Sequence, residues 1–331
     1  MLGAHFENEI RAQPDVWRAI ADSDKAEQLA NAIRGKDVVL LGSGSSLFMA
    51  QLGALALRRR GMRAHALAAT EAVLDNAAYR NAVVIAISQS GASADLLHAL
   101  DLLQPERLIA LTNTVDSPLG KRASIRIDVG SGPEIAVPAS KSVSATAAIL
   151  LWAAGLIADK HSRSADTLIE TAEDVRSWLD GPGVEDVREA AQRIARRRSV
   201  VMVAAGYGVP IANEFALKLK EASYIHAEGF SAGEFRHGSA AMLDASCAII
   251  GVVDEAAREI VNRPLAEAAQ AESLRYVIGA RLGDIPLLGP VVGVAFNTLA
   301  WLVAAQTLAL FCGRARFIES DAPRGLEKTM T

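Results

Sequence analysis

The chain has 331 residues, 51% of them apolar and 22% charged, with a net charge of −4 and a pI near 5.9. That balance excludes a disordered chain. The mild acidity excludes a general nucleic-acid surface, which needs a basic patch or stripe.

Residues 1–14 carry Glu7, Glu9 and Arg11 and no apolar stretch, so they do not read as a signal peptide. The apolar run 147–158 is too short to span a bilayer. Residues 291–312 form a longer run, but Asn297, Thr298, Gln306 and Thr307 interrupt it, as expected of a buried helix in a large core. Cys247 and Cys312 have the spacing of neither a disulfide framework nor a zinc site, and read as buried thiols in a reducing compartment. A cytoplasmic protein without membrane or nucleic-acid partners is expected. The arginine runs at 58–60 and 196–198 read as solvated helix ends.

In chain order, the apolar tetrad 38–41 enters the turn Gly42-Ser43-Gly44-Ser45-Ser46, and a helical stretch follows over 47–58. Residues 63–67 make a weaker strand. A buried strand over 83–87 enters Ser88-Gln89-Ser90-Gly91, followed by a helix over 94–103. Strands are predicted over 108–111 and, at an edge, 124–129, then an Ala- and Leu-rich helix from about 144 to 158. Residues 161–197 are charged and helical in pattern, broken by Gly181-Pro182-Gly183. A second series then begins: a strand over 200–203, the turn Gly206-Tyr207-Gly208, a helix over 210–224, strands over 248–253 and 274–278, the long apolar helix, and a polar tail. Short apolar strands alternating with helices give an α/β fold of parallel, doubly wound sheets flanked by helices. The two halves look alike, at a period too long for a solenoid. The expected organisation is an N-terminal helix plus first domain over 1–165, a helical connector over 166–185, and a second domain with a C-terminal tail over 186–331.

Both serine-rich turns follow a strand and open a helix, where backbone N–H groups are unpaired and the helix dipole favours an anion. Ser43, Ser45 and Ser46 in the first turn, and Ser88, Gln89, Ser90 and Ser93 in the second, add neutral donors without a fixed cation. That set suits a phosphate monoester on a small sugar better than a polyphosphate. The first turn is not a dinucleotide fingerprint, because Leu47 stands where the third glycine belongs, and no P-loop lysine follows. One such turn alone could be an ordinary N-cap. Two at strand C-termini, where open α/β sheets bind ligands, favour a site.

On the helix over 210–224, Glu214, Lys218 and Glu221 fall at i, i+4 and i+7 and share a face. They form either a simple salt bridge or a base, Glu221, with Lys218 holding its charge and orientation. Residues 227–237 read as a dense polar loop containing Glu228, Gly229, Gly233, Glu234, Arg236 and His237. His237 is either structural or catalytic. No pair of histidines has metal spacing, and no G-x-S-x-G elbow occurs, so the serines read as binders rather than nucleophiles.

Six segments, in order, resemble the sugar isomerase (SIS) domain family: Gly44-Ser45-Ser46, Ile87-Ser88-Gln89-Ser90-Gly91-Ala92-Ser93-Ala94-Asp95, Ala216-Leu217-Lys218-Leu219-Lys220-Glu221, Tyr224-Ile225-His226-Ala227-Glu228, Gly233-Glu234-Phe235-Arg236-His237-Gly238 and Asp321-Ala322-Pro323-Arg324-Gly325-Leu326-Glu327-Lys328. The pattern is similar to the isomerase half of glutamine–fructose-6-phosphate aminotransferases and to the stand-alone glucosamine-6-phosphate deaminases. The resemblance implies two SIS domains, each with a five-stranded parallel sheet. It implies a sugar 6-phosphate bound by Ser46, Ser88, Gln89, Ser90 and Ser93, with Ser43, Gly44, Ser45, Val137 and Ser140 completing the binding set. It makes Glu221 the proton-transfer carboxylate with Lys218 beside it. His237 becomes the ring-opening histidine, donated across a homodimer interface, and Lys328 a tail amine that covers the sugar and can form a Schiff base. No cofactor and no metal are implied.

The sequence departs from the family pattern at Pro138-Ala139-Ser140-Lys141, where relatives carry Ala-Ser-Thr-Lys, at Glu327, where the aminotransferases carry a small residue, and at Ala204-Ala205-Gly206 in place of Gly-Arg-Gly. With no ammonia-generating domain in the resemblance, the expected activity is glucosamine-6-phosphate deamination, a hydrolytic, catabolic reaction giving fructose 6-phosphate and ammonia. The alternatives are galactosamine-6-phosphate deaminase/isomerase, fructosamine-6-phosphate deglycase, and a non-enzymatic sugar-phosphate sensor.

Overall fold

The computed structural model describes residues 1–74, 79, 81–290 and 296–328. Its first half runs α1 (Ala4–Ala21), α2 (Lys25–Ile33), β1 (Val38–Gly42), α3 (Ser45–Arg58), β2 (Ala64–Ala68), α4 (Ala69–Ala72), β3 (Val83–Ser88), α5 (Ala94–Leu103), β4 (Arg107–Thr112), α6 (Pro118–Arg122), β5 (Ile125–Asp128) and α7 (Lys141–Ala158). The second runs α8 (Ser164–Asp180), α9 (Gly183–Ile194), β6 (Ser199–Ala204), α10 (Gly208–Ser223), β7 (His226–Ser231), α11 (Ala232–Phe235), β8 (Cys247–Val253), α12 (Arg258–Gln270), β9 (Leu274–Gly279) and α13 (Asn297–Ala315). The part of the predicted apolar helix over 291–295 lies outside the described residues.

The chain divides into two compact units. One comprises Asp15–Glu134, Lys141–Ile169 and Lys328 onward. Its sheet has the order β2-β1-β3-β4-β5, with every pairing parallel. β1 and β3 are buried along their whole length, as strands covered by helices on both faces must be. From β1 the chain moves outward to β2 and then crosses back to β3. The switch point therefore falls between β1 and β3, whose register pairs Leu41 with Ala86. Gly42 and Ser88 thus emerge at the same edge, where sheets of this order bind ligands.

The other unit comprises Met1–Pro14, Ile135–Ser140 and Glu170–Glu327. Its sheet has the order β7-β6-β8-β9, again all parallel. This repeats the β2-β1-β3-β4 path of the first sheet, so the similarity of the two halves is topological. A fifth strand is implied by the resemblance, but among the described residues this sheet has four. Beyond β9 there is a single parallel bridge, Val277 to Leu287. The Val277 N–H donates to the Pro286 carbonyl and the Leu288 N–H returns to Val277. Pro286 has no N–H of its own, and Gly289 and Pro290 follow, so the ladder stops there.

The sequence reads β7 as loop. Among the described residues it is an edge strand paired only to β6, and Gly229 within it is where α10 packs across the strand. A Cβ at that position would lie 2.6 Å from both the Ala212 carbonyl carbon and the Asn213 nitrogen. Only glycine lets α10 come this close to the strand. α7 and α13 are long and apolar enough to cross a membrane by length and composition, but 78% and 89% of their apolar windows are buried inside the protein. Both are core helices of their own units.

Candidate active site

In the first unit the two serine turns sit side by side at the switch point. The first is tight: a Cβ on Gly42 would lie 2.6 Å from the Ser46 carbonyl carbon, and Gly44, at φ 56°, precedes the first residue of α3. Ser43 and Gly44 are exposed, while Ser45 and Ser46 are half-buried. In the second turn, the Ser88 hydroxyl accepts the Gly91 N–H at 3.1 Å and the Ser90 hydroxyl accepts the Ala92 N–H at 3.2 Å. Each hydroxyl hydrogen remains available to donate. The Gln89 carbonyl is held by the Asn113 N–H at 3.1 Å and the Thr112 hydroxyl at 3.3 Å, which locks the turn to the end of β4. Ser93 stands at the N-cap of α5 without using its side chain as a cap. The result is a rigid, neutral, donor-rich edge at two helix N-termini, which is what an anionic ester requires.

In the second unit, α10 carries the ionisable cluster. Lys218 Nζ lies 2.5 Å from Glu221 Oε2 and 3.4 Å from Glu214 Oε1. The side chains of Lys218 and Glu214 are each 1% exposed, and that of Glu221 is 16% exposed. Lys220, two residues on, is exposed. This is not a surface pair. Burial alone would lower the Lys218 pKa, but the charges of Glu214 and Glu221 more than reverse that, and it stands above the usual lysine range. One permanent ammonium therefore orients two carboxylates, of which Glu221 is the one that reaches toward solvent. α10 ends where Tyr224 takes the left-handed conformation at φ 54°.

The loop before α7 and the C-terminal tail carry the remaining predicted residues. Val137 is half-buried, and its N–H donates to the Asp321 carbonyl at 2.9 Å. Ser140 is fully buried. The Asp321 carboxylate in turn accepts the N–H groups of His5 and Phe6, at 2.9 and 2.7 Å, and so caps α1. Glu9 on α1 accepts the N–H groups of Ile135 and Ala136. Further along the tail, the Arg324 N–H donates to the Tyr224 hydroxyl at 2.7 Å while its guanidinium lies 4.5 Å over the Tyr224 ring. Lys328 Nζ lies 3.2 Å from Glu134 Oε2 in the first unit. His237 is exposed and follows the short helix α11.

Within each unit, then, the structure groups the two serine turns, and Lys218 with Glu221. Three partners were not among the expected site residues: Glu214, Glu134 and Tyr224. Glu214 was legible as a helix neighbour of Lys218. Glu134 and Tyr224 meet their partners 194 and 100 residues away, and no local pattern signals either contact.

A SIS domain family model matches residues 33–155 and 193–273. The chain is 28% identical over 320 residues to the isomerizing glutamine–fructose-6-phosphate aminotransferase of Sulfolobus acidocaldarius, covering 94% of this chain and 53% of that protein. It thus spans about half the length of the curated relatives it matches. Its fold is similar to the C-terminal domain of the glucosamine-fructose-6-phosphate aminotransferase of Francisella tularensis, with a TM-score of 0.82 at 21% identity, covering 96% of this chain and 98% of that one. It is likewise similar to the glucosamine-6-phosphate deaminase of Thermotoga maritima, with a TM-score of 0.80 at 21% identity and 98% coverage of both chains. With both of its parallel sheets overlapped by the family match, the chain belongs to the SIS domain family.

Proposed function

We propose that the protein is a phosphosugar isomerase that deaminates glucosamine 6-phosphate to fructose 6-phosphate and ammonia. The observation that carries this is the Lys218–Glu221 pair: a partly accessible carboxylate, fixed at 2.5 Å by a buried ammonium, has the form of a positioned general base. The neutral serine turns supply the grip on a phosphate monoester. The similarity in fold to a glucosamine-6-phosphate deaminase supports the choice of reaction.

His237 moves the proton that opens the sugar ring. Glu221 then takes the proton from carbon 2 of the open-chain amino aldose and returns it to carbon 1, leaving an imine at carbon 2. Water adds to that imine and ammonia leaves, so one water is consumed for each ammonia released. Lys328 covers the carbonyl end and can form a Schiff base with the keto sugar, releasing one water that is taken up again when the Schiff base is hydrolysed. The exposure of His237 on its own chain supports its donation to a second copy in a homodimer. A cytoplasmic enzyme without a cofactor belongs to the same proposal.

The test is incubation of the purified protein with glucosamine 6-phosphate, with fructose 6-phosphate and ammonia measured together. Equal yields of the two are expected. A folded protein that releases neither overturns the proposal. Release from galactosamine 6-phosphate or a fructosamine 6-phosphate in its place keeps the chemistry and changes the sugar.

A further inference from the structure

The proposed tail amine meets a carboxylate that the reaction itself does not call for. Glu134 lies in the loop between β5 and α7, and its side chain is fully buried. Its Oε1 accepts the Ser142 N–H at 3.2 Å and its Oε2 accepts the Ser142 hydroxyl at 2.7 Å. Ser142 lies in the first turn of α7, an 18-residue helix whose N-terminus favours a negative charge. The same Oε2 receives Lys328 Nζ at 3.2 Å, and the lysine side chain is 12% exposed. Lys141, beside Ser142, donates its ammonium to the Pro133 carbonyl at 2.6 Å.

We infer that Glu134 is the positioning residue of the C-terminal tail: its buried carboxylate receives Lys328 and sets where that amine rests when no sugar is bound. This rests on the proposed role of Lys328 in the reaction. A buried charge needs partners, and losing them is costly. Two partners of Glu134 differ in kind. Ser142 and the end of α7 are part of the fold and stay in place. Lys328 arrives on the last described residue of the tail. When Lys328 moves to the sugar, Ser142 and the helix terminus still satisfy the carboxylate. The ion pair can therefore open without stranding a bare buried charge, as a reversible latch must. Upstream, the tail is tied at Asp321 to Val137 and at Arg324 to Tyr224, and Gly325 follows in the left-handed conformation at φ 73°. The span over 325–327, which starts from that glycine, is the segment that has to move.

The test uses the full-length protein without sugar and follows tryptic cleavage after Arg324. Glu134→Gln keeps an acceptor for Ser142 but removes the charge, and should raise the cleavage rate about fivefold, the equilibrium factor of a single ion pair whose carboxylate keeps its other hydrogen bonds. Lys328→Met should raise it equally, and the double variant no further. Lys328→Met alters only the tail, so it decides the question even if Glu134→Gln fails to fold. Unchanged cleavage in Lys328→Met overturns the latch. Where the enzyme turns over glucosamine 6-phosphate, Glu134→Gln should lower kcat and leave KM unchanged, because the serine turns are untouched, and Glu134→Asp should restore part of the loss. A wild type that cleaves as expected but shows no turnover overturns the proposed function and leaves the latch standing. Normal turnover with no change in cleavage does the reverse.

Discussion

Glu214 and Lys218 stand one helical turn apart on α10, each with 1% of its side chain exposed and their charged atoms 3.4 Å apart. The Lys218 ammonium is paired with two carboxylates at once, those of Glu214 and Glu221. Lys218→Met takes the ammonium from the fully buried Glu214 and should cost about 3–5 kcal/mol of stability, as breaking a buried pair from one side does. Glu214→Gln keeps the Lys218–Glu221 contact and should cost less. Urea unfolding of the two variants checks the order, and the reverse order contradicts the assignment of Lys218 as the hub.

The same cluster fixes a pH dependence. The folded-state pKa of Lys218 is raised, so its stabilising contribution is complete below the ordinary lysine value and is lost only as pH climbs through the higher folded value. The stability difference between wild type and Lys218→Met should therefore not shrink from about pH 6 to pH 10, because wild type keeps its charged Lys218 while the variant's buried Glu214 becomes costlier to ionise as pH rises. A difference that shrinks within that window, measured by denaturant titration at several pH values, contradicts the paired geometry.

Replacing Glu221 by Gln keeps its size and removes the base. Turnover should fall about 10²–10⁴-fold, the contribution of a positioned general base, with little change in KM. Ser46→Ala and Ser88→Ala should act the other way, raising KM for the sugar phosphate more than they lower kcat. Steady-state kinetics on the three variants separates the two roles.

Gly91, at φ 62°, has no room for a side chain: a Cβ would lie 2.0 Å from the Ser117 hydroxyl oxygen. Gly132, at φ 67°, faces open space. Gly132→Ala should cost only the left-handed backbone penalty of about 1–2 kcal/mol. Gly91→Ala adds a clash of about 1–3 kcal/mol, and should also weaken phosphate-ester binding because it distorts the second serine turn. Thermal unfolding together with inhibition by inorganic phosphate checks both.

Both cysteines are fully buried, and burial pushes the Cys312 thiol above the usual range. A thiol-specific disulfide reagent at about pH 8 should find no fast-reacting thiol in the native protein and both after denaturation.

The five strands of the first unit were legible within about two residues, and β1, β3 and β4 most directly, because a strand buried on both faces is written as an apolar run. The alignment of Glu214, Lys218 and Glu221 was legible for the same kind of reason, since helical periodicity alone puts them on one face. That the face is buried was not, because burial depends on what α10 packs against. β7 was missed because His226, Glu228 and Gly229 look like loop, and the purpose of Gly229 shows only when α10 lies across it. α7 begins at Lys141, three residues earlier than its apolar pattern suggests, because the Glu134 carboxylate serves its polar first turn. By itself the sequence determined the alternation of strand and helix, the two serine turns and the acid–base helix, all set by spacings of a few residues. Only the tertiary structure decided that Glu134 holds Lys328 and that Val137 holds Asp321. Those pairs join points 194 and 184 residues apart, and close contact over such separations arises only once the chain has folded.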